Sequence, residues 1–267
     1  RATTGNTEVI EHAAYFKSYR QRLGLPNQAA AKDFLGAKSI KPSIDLAYIY
    51  ALNARLHEIY AKINHAVHES VRHQDIELFC RQNLYLPFEA MHEAGILPKL
   101  NNQGRRPEEV LFSWLRGYAA AEYFQPVLAR IFNAEAGNTR KIGQDDFSSL
   151  ELFKRGARAD IEIKHAEGCC RVEIQSGFQG INDIKEHKVR EARNVFFEQQ
   201  IPTYCFHVDL YNGQAALVRL DTIESNDMNW VTRQQMEGQT VFSIDQNYFS
   251  WRLLDAPPPL ADWNVDL

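Results

Sequence analysis

The stretch Arg158-Ala159-Asp160-Ile161-Glu162-Ile163-Lys164, followed by Cys170-Arg171-Val172-Glu173-Ile174-Gln175-Ser176, decides how the rest of the chain is read. Both segments alternate polar and branched apolar residues at a period of two, the mark of strands with two unlike faces. Ile161 and Ile163 fall on one face; Asp160, Glu162 and Lys164 fall on the other. In the second segment Val172 and Ile174 point to the core, while Glu173 and Gln175 share the polar side. The short stretch between the segments makes them a hairpin.

Register decides what the hairpin means, because residues directly opposite each other on antiparallel strands share a face. A two-residue loop at Glu167-Gly168 sets Glu162 against Glu173 and Lys164 against Arg171, so like charges meet twice. A four-residue loop from His165 to Gly168 sets Glu162 against Arg171 and leaves one like-charge pair, Asp160 with Glu173. Two carboxylates side by side repel, and a divalent cation between them removes that cost. Hard oxygen ligands suit Mg²⁺, so the hairpin is expected to hold it.

The pattern resembles the active-site hairpin of the PD-(D/E)xK nuclease superfamily, the fold of most type II restriction endonucleases. The resemblance implies an α/β fold: a restriction-endonuclease-like mixed core sheet flanked by helices, with a helical N-terminal region. It implies Asp160, Glu173 and Gln175 as catalytic residues, with Asp160 and Glu173 on Mg²⁺. Glu122, on the helix before the hairpin, is a third candidate ligand, with Glu135 as its rival. Ala159 stands where the family name implies Pro, and Gln175 replaces the Lys. An amide carries no positive charge, so either the metal lowers the pKa of the attacking water largely alone or Lys164 or Lys185 supplies the charge from elsewhere. A second assignment takes Glu162-Ile163-Lys164 as the Glu-x-Lys with Asp146 upstream. It restores the lysine, but puts the motif on the strand the family uses for the Asp and leaves Glu173 unexplained. The resemblance further implies a homodimer in a prokaryotic cytosol, part of a restriction-modification system, cutting double-stranded DNA at a short palindrome and leaving 5′-phosphates; the alternatives are a repair or junction-resolving nuclease of the same superfamily, or a non-catalytic DNA-binding protein.

The 267 residues can bury a sizeable core. Two regions are expected: a helical one over 1–106, and a nuclease core over 107–267 ending in a recognition and dimerisation segment. Net charge is −4, so any nucleic-acid surface must concentrate its basic residues on one face. The four cysteines, Cys80, Cys169, Cys170 and Cys205, contain no Cys-x-x-Cys pair, which argues against zinc and fits free thiols in a reducing cytosol. No apolar run approaches the length of a membrane span.

In chain order, helices are expected over 8–23 and 28–35. A long one follows from Pro42, with the stripe Leu46, Ile49, Leu52, Leu56, Ile59, Ile63 and Val67. Helix continues over 75–95 with a break at Pro87, and another runs from Pro107 to Phe132. The polar loops nearby carry groups that contact phosphates, Arg105 and Arg106 in one, Asn138, Arg140 and Lys141 in the other. After Gln175 comes a turn with Gln179, then a helix capped by Asn182, carrying Lys185 and ending near Gln199. Strands over 203–210 and 214–220 flank an Asn212-Gly213 turn. Residues 225–239 hold Asn229, Arg233, Gln234 and Gln235, side-chain types that pair bidentately with base edges. A last strand is expected within 241–254, and the apolar tail after Pro257-Pro258-Pro259 is expected to dock on the chain's own core or on a second subunit.

Overall fold

The hairpin adopts the register that opposes Glu162 to Arg171. In the computed structural model, the strand Ile161–His165 pairs antiparallel with Gly168–Gly177, Ile161 facing Val172 and His165 facing Gly168. The turn is Ala166-Glu167, tighter than the loop expected, with Gly168 at a φ of +141 completing it. The structure describes residues 12–37, 39–101, 105–143, 159–234 and 238–266. Asp146 and Gln235 lie outside the described residues, as does the expected element over 150–155.

The chain divides into two units, residues 1–45 with 97–111 and residues 46–96 with 112–267. The helices between 46 and 96 fall in the same unit as the sheet. The first unit contains α1 (His12–Leu23), α2 (Gln28–Leu35) and the start of α6 (Pro107–Ile131). Asn27 caps α2 by accepting the Ala30 amide at 2.9 Å. Glu108, buried, accepts from the Asp45 amide at 2.9 Å and from Arg106 at 3.1 Å.

The second unit holds α3 (Leu46–Ala66), α4 (Ile76–Cys80) and α5 (Leu86–Glu93). The buried face of α3 is Ile49, Asn53, Leu56, Tyr60 and Ile63. It is rotated from the expected stripe because Asn53 and Tyr60 take the inward positions in place of Leu52 and Ile59. Tyr60 donates to the Arg116 carbonyl at 2.6 Å, and Tyr123 donates to Asn64 at 2.7 Å. Those bonds let tyrosines serve as core residues on facing helices. A π-helical turn, Arg81–Tyr85, joins α4 to α5 immediately before Pro87, which lacks the N–H an α-helical ladder needs.

The main sheet has six strands: β1 (Thr139–Lys141), β2 (Ile161–His165), β3 (Gly168–Gly177), β5 (Thr203–Asp209), β6 (Gln214–Arg219) and β9 (Trp251–Arg252), in the order β1-β2-β3-β5-β6-β9. Only β3 and β5 are parallel, and α7 (Glu186–Gln199) lies between them in the chain. A three-stranded sheet of β4 (Asp183–Lys185), β8 (Gln239–Ser243) and β7 (Trp230–Arg233) stands beside it. This is the mixed α/β sheet with flanking helices and helical N-terminal region expected from the sequence. No helix among the described residues is long and apolar enough to cross a membrane.

Alternation along the strands sorts the two faces. Phe206 stacks on Trp251 and meets Phe124 of α6, and Tyr204 meets Phe132, so the even-numbered residues of β5 face α6. On the opposite face Cys205, Ala216 and Val218 pack with Val189 and Ala192 of α7 and with Ile184 and Phe242 of the small sheet. The tail docks on its own core: Trp263 is buried against Phe206 and Trp251, and the Val265 carbonyl accepts from the Arg219 amide at 2.8 Å.

Two sequence expectations change, and one segment gains an assignment. Asn182 does not cap α7. Strand β4 intervenes, Lys185 is the N-cap residue without a side-chain cap, and the Asn182 Oδ1 accepts from His207 Nε2 at 2.7 Å. Residues 230–233, within the segment read as carrying base-pairing side chains, form a strand. The expected last strand is two short ones, β8 and β9, separated by a 3₁₀ turn.

Candidate active site

Asp160 immediately precedes β2, one residue beyond the Ile161–Val172 pair, and its charge acts on Glu173 of β3. Both lie at the end of the hairpin where β2 stops and β3 runs on to pair with β5. Asp160 Oδ2 accepts the Ile174 amide at 2.7 Å, and the Asp160 amide donates to the Val172 carbonyl at 3.1 Å, so the Asp is fixed to β3 by both its backbone and its side chain. Glu173 is 6% exposed. Its carboxyl is pushed up to about 8, first by burial and then by the negative charge of Asp160. The Lys188 ammonium and a hydrogen bond from the Gln175 side chain oppose that rise without overcoming it.

Lys188 was not singled out by the sequence reading. It lies in the first turn of α7, and its Nζ stands 2.8 Å from Glu173 Oε2. The signal was present: Lys188 precedes Ala192 and Val195 at intervals of four and three, so it falls on the face α7 turns to the sheet. The charges that act on Glu173 are those of Asp160 and Lys188. Lys164 and Lys185, the expected sources of the missing charge, are both exposed, Lys185 on the small sheet. Around Lys188, the His187 imidazole is held below its ordinary value, by partial burial first and then by the cations Lys188, Lys185 and Arg190. Glu186, in the same turn, opposes those cations.

The polar face of the hairpin is thus not a solvated charged face. Glu162, also buried, sits between Arg140 at 2.8 Å and Arg171 at 3.6 Å, with Arg171 itself buried. Glu162 is neutralised by two guanidiniums, whereas Glu173 faces another carboxylate.

Two adjacent carboxylates suit Mg²⁺, which keeps several waters and needs only one or two protein carboxylates. The raised Glu173 carboxyl is the observation that fits: a cation between the two acids relieves the repulsion the protein alone does not. Among the described residues no group of three His, Cys, Asp or Glu side chains converges as a metal site. Glu122 is accordingly not brought to Asp160 and Glu173. It pairs with Lys141 at 2.5 Å, and the same ammonium stands 5.2 Å from the Tyr118 ring centroid. The reason is helical phase: α6 packs on the face of the sheet away from Glu173. Glu135 is exposed at the end of that helix.

The expected DNA-contacting residues separate into two groups. Arg140, Lys141, Arg106, Asn182, Asn229 and Arg233 are engaged within the protein. Arg233 makes a two-pronged pair with Asp183 at 2.8 and 3.0 Å, and Asn229 donates to Asp245 at 2.9 Å. Asn138, Gln179, Lys185 and Gln234 are exposed, and Arg105 is exposed with a long bond to the Glu109 carbonyl.

No protein-family model matches the chain, and no curated protein does. Among solved structures the chain is similar to Hjc, a Holliday junction resolvase from Archaeoglobus fulgidus. The TM-score is 0.31 at 9% identity, over 49% of this chain and 86% of that one.

His207, on β5 beside Gln175, was also missed. It is buried, its Nδ1 has no hydrogen-bond partner among the described residues, and burial holds its imidazole down at about 4. As a neutral ring donating through Nε2 to Asn182, it fixes the segment where the chain leaves β3 for the small sheet.

Proposed function

We propose that the chain is a Mg²⁺-dependent endonuclease of the PD-(D/E)xK type, hydrolysing phosphodiester bonds in double-stranded DNA. The observation that carries this reading is the juxtaposition of Asp160 and Glu173 at the open end of a hairpin. The Gln175 side chain hydrogen-bonds Glu173, and the half-buried Lys188 ammonium stands 2.8 Å from the same carboxylate. Asp160 and Glu173 would hold the metal. Bound Mg²⁺ would supply neutralisation of phosphate charge and acidification of the attacking water. Asp160, fixed by the Ile174 amide, sets the distance between the strands. Gln175 orients the Glu173 carboxyl.

The finer reading is a type II restriction endonuclease acting as a homodimer at a short palindromic site and leaving 5′-phosphates. Two-fold protein symmetry matched to a palindrome is its physical rationale. The exposed Gln179, Lys185 and Gln234 beside the small sheet supply side chains of the kind that read bases and bind phosphates. The test is a digest of plasmid and phage DNA with Mg²⁺, by the intact protein and by Asp160→Ala and Glu173→Ala. Discrete fragments from the intact protein, and none from either variant, are expected. Normal cutting by either variant contradicts the assignment of the site. A smear, or cutting confined to branched DNA, replaces the restriction reading with another nuclease.

A further inference from the structure

We propose that Lys188, delivered by the first turn of α7, is the catalytic cation of this site, standing in for a lysine that β3 does not carry. The inference rests on the nuclease reading above and assigns one residue's role within it. In hydrolysis of a phosphodiester, negative charge builds on the phosphoryl oxygens. Apart from the metal, a site with two carboxylates and an amide offers nothing of the protein's own to oppose it. The ammonium of Lys188 lies at the Glu173 carboxylate, 2.8 Å away, with its side chain 15% exposed. At that burial a charge is only weakly screened and acts strongly on its neighbours. Burial of a lysine is also costly unless it is paired, and α7 otherwise turns Val189, Ala192 and Val195 to the sheet.

The geometry also explains why Gln175 is tolerated. Gln175 and Lys188 bind the same carboxyl group from two elements, the strand and the helix. The strand residue needs only to hold Glu173 in place, because the charge comes from across the interface. The lysine and the strand position are therefore exchangeable in principle, and exchange is the test.

Four proteins are compared: the intact chain, Lys188→Gln, Lys188→Arg, and the double variant Lys188→Gln with Gln175→Lys. Single-turnover cleavage is followed with Mg²⁺ at saturating DNA, at a temperature where circular dichroism shows each protein folded. Loss of one preorganised charge or donor typically slows the chemical step about 100- to 1000-fold. That fall is expected for Lys188→Gln, a smaller one for Lys188→Arg, and recovery to within about tenfold of the intact chain for the double variant. Mg²⁺ binding without DNA, by calorimetry, is the second readout. Lys188→Gln should bind the ion as tightly as the intact chain or tighter, because the ammonium competes for the Glu173 carboxylate.

An unchanged cleavage rate in Lys188→Gln overturns the inference. So does a double variant that stays as slow as Lys188→Gln while folded, or a loss of Mg²⁺ binding in Lys188→Gln, which would make the lysine a support for the site's shape. Failure of the nuclease reading looks different: the intact chain cuts no DNA, and Glu173→Ala binds Mg²⁺ as the intact chain does.

Discussion

The carboxylate of Asp160 accepts the backbone amide of Ile174 at 2.7 Å, so the acid at the edge of β2 grips the residue between Glu173 and Gln175 on β3. Asp160 therefore carries a structural bond as well as a charge, and the two can be separated. Asp160→Asn keeps an acceptor for the amide, whereas Asp160→Ala leaves that donor unpaired in a half-buried position. Urea unfolding should find the Asn variant more stable than the Ala variant by about 1–3 kcal/mol. Both should lose Mg²⁺-dependent cleavage. Equal stabilities would mean that the bond contributes nothing.

Glu173 makes the metal's effect on stability depend on pH. Its carboxyl titrates near the ordinary 4.5 in the unfolded chain and near 8 in the folded one. Between those values the folded state keeps a proton that the unfolded state has released. Stability from this group therefore falls as pH rises from about 4.5 to about 8. Mg²⁺ binds the ionised pair and reverses that loss. Saturating Mg²⁺ should thus raise the melting temperature more at about pH 8.5 than at about pH 5.5. A larger rise at the acid end would show that the ion binds elsewhere.

His207 works in the other direction. Its imidazole is held down at about 4 by burial, against an ordinary 6.5. As pH falls through that interval the unfolded chain takes up a proton that the folded chain does not, so stability is lost on acidification. A shift of this size corresponds to about 3 kcal/mol across the window. Replacing His207 with Gln, which does not titrate, should flatten the acid limb of a stability–pH curve between about 4 and 6.5. An unchanged slope would assign the acid sensitivity to other groups.

Glu122 offers a negative control. It is partnered by Lys141 on the far face of the sheet from Glu173, and the lysine is 40% exposed. Glu122→Ala should leave the cleavage rate close to that of the intact chain and cost about 0.2–1 kcal/mol of stability, the range of partly exposed ion pairs. A loss of cleavage comparable to that of Glu173→Ala would restore Glu122 as a ligand.

Arg233 should matter for the fold before it matters for DNA. Its guanidinium forks onto Asp183, whose side chain is 5% exposed, and so ties β7 to β4. Arg233→Ala leaves that buried carboxylate without its partner and should lower the melting temperature more than Gln234→Ala. Altered fragment patterns at unchanged stability would instead make Arg233 a base reader.

The local pattern was sufficient for the elements that depend on short-range physics. Alternation from Asp160 to Gln175 specified two strands, and charge matching between Glu162 and Arg171 specified their register, because a slip of one residue would turn every side chain to the other face. Asn212-Gly213 marked its turn for a similar reason, with Gly213 at a φ of +69. What tertiary structure decided were the partners of each polar side chain. Helical phase put Tyr60 rather than Ile59 inward and turned Glu122 to the sheet's far face. Packing of α7 against the sheet brought Lys188 to Glu173, and pairing with Asp183 committed Arg233 to an ion pair within the protein. A carboxylate's partner is set by which element covers it, and coverage depends on residues far apart in the chain.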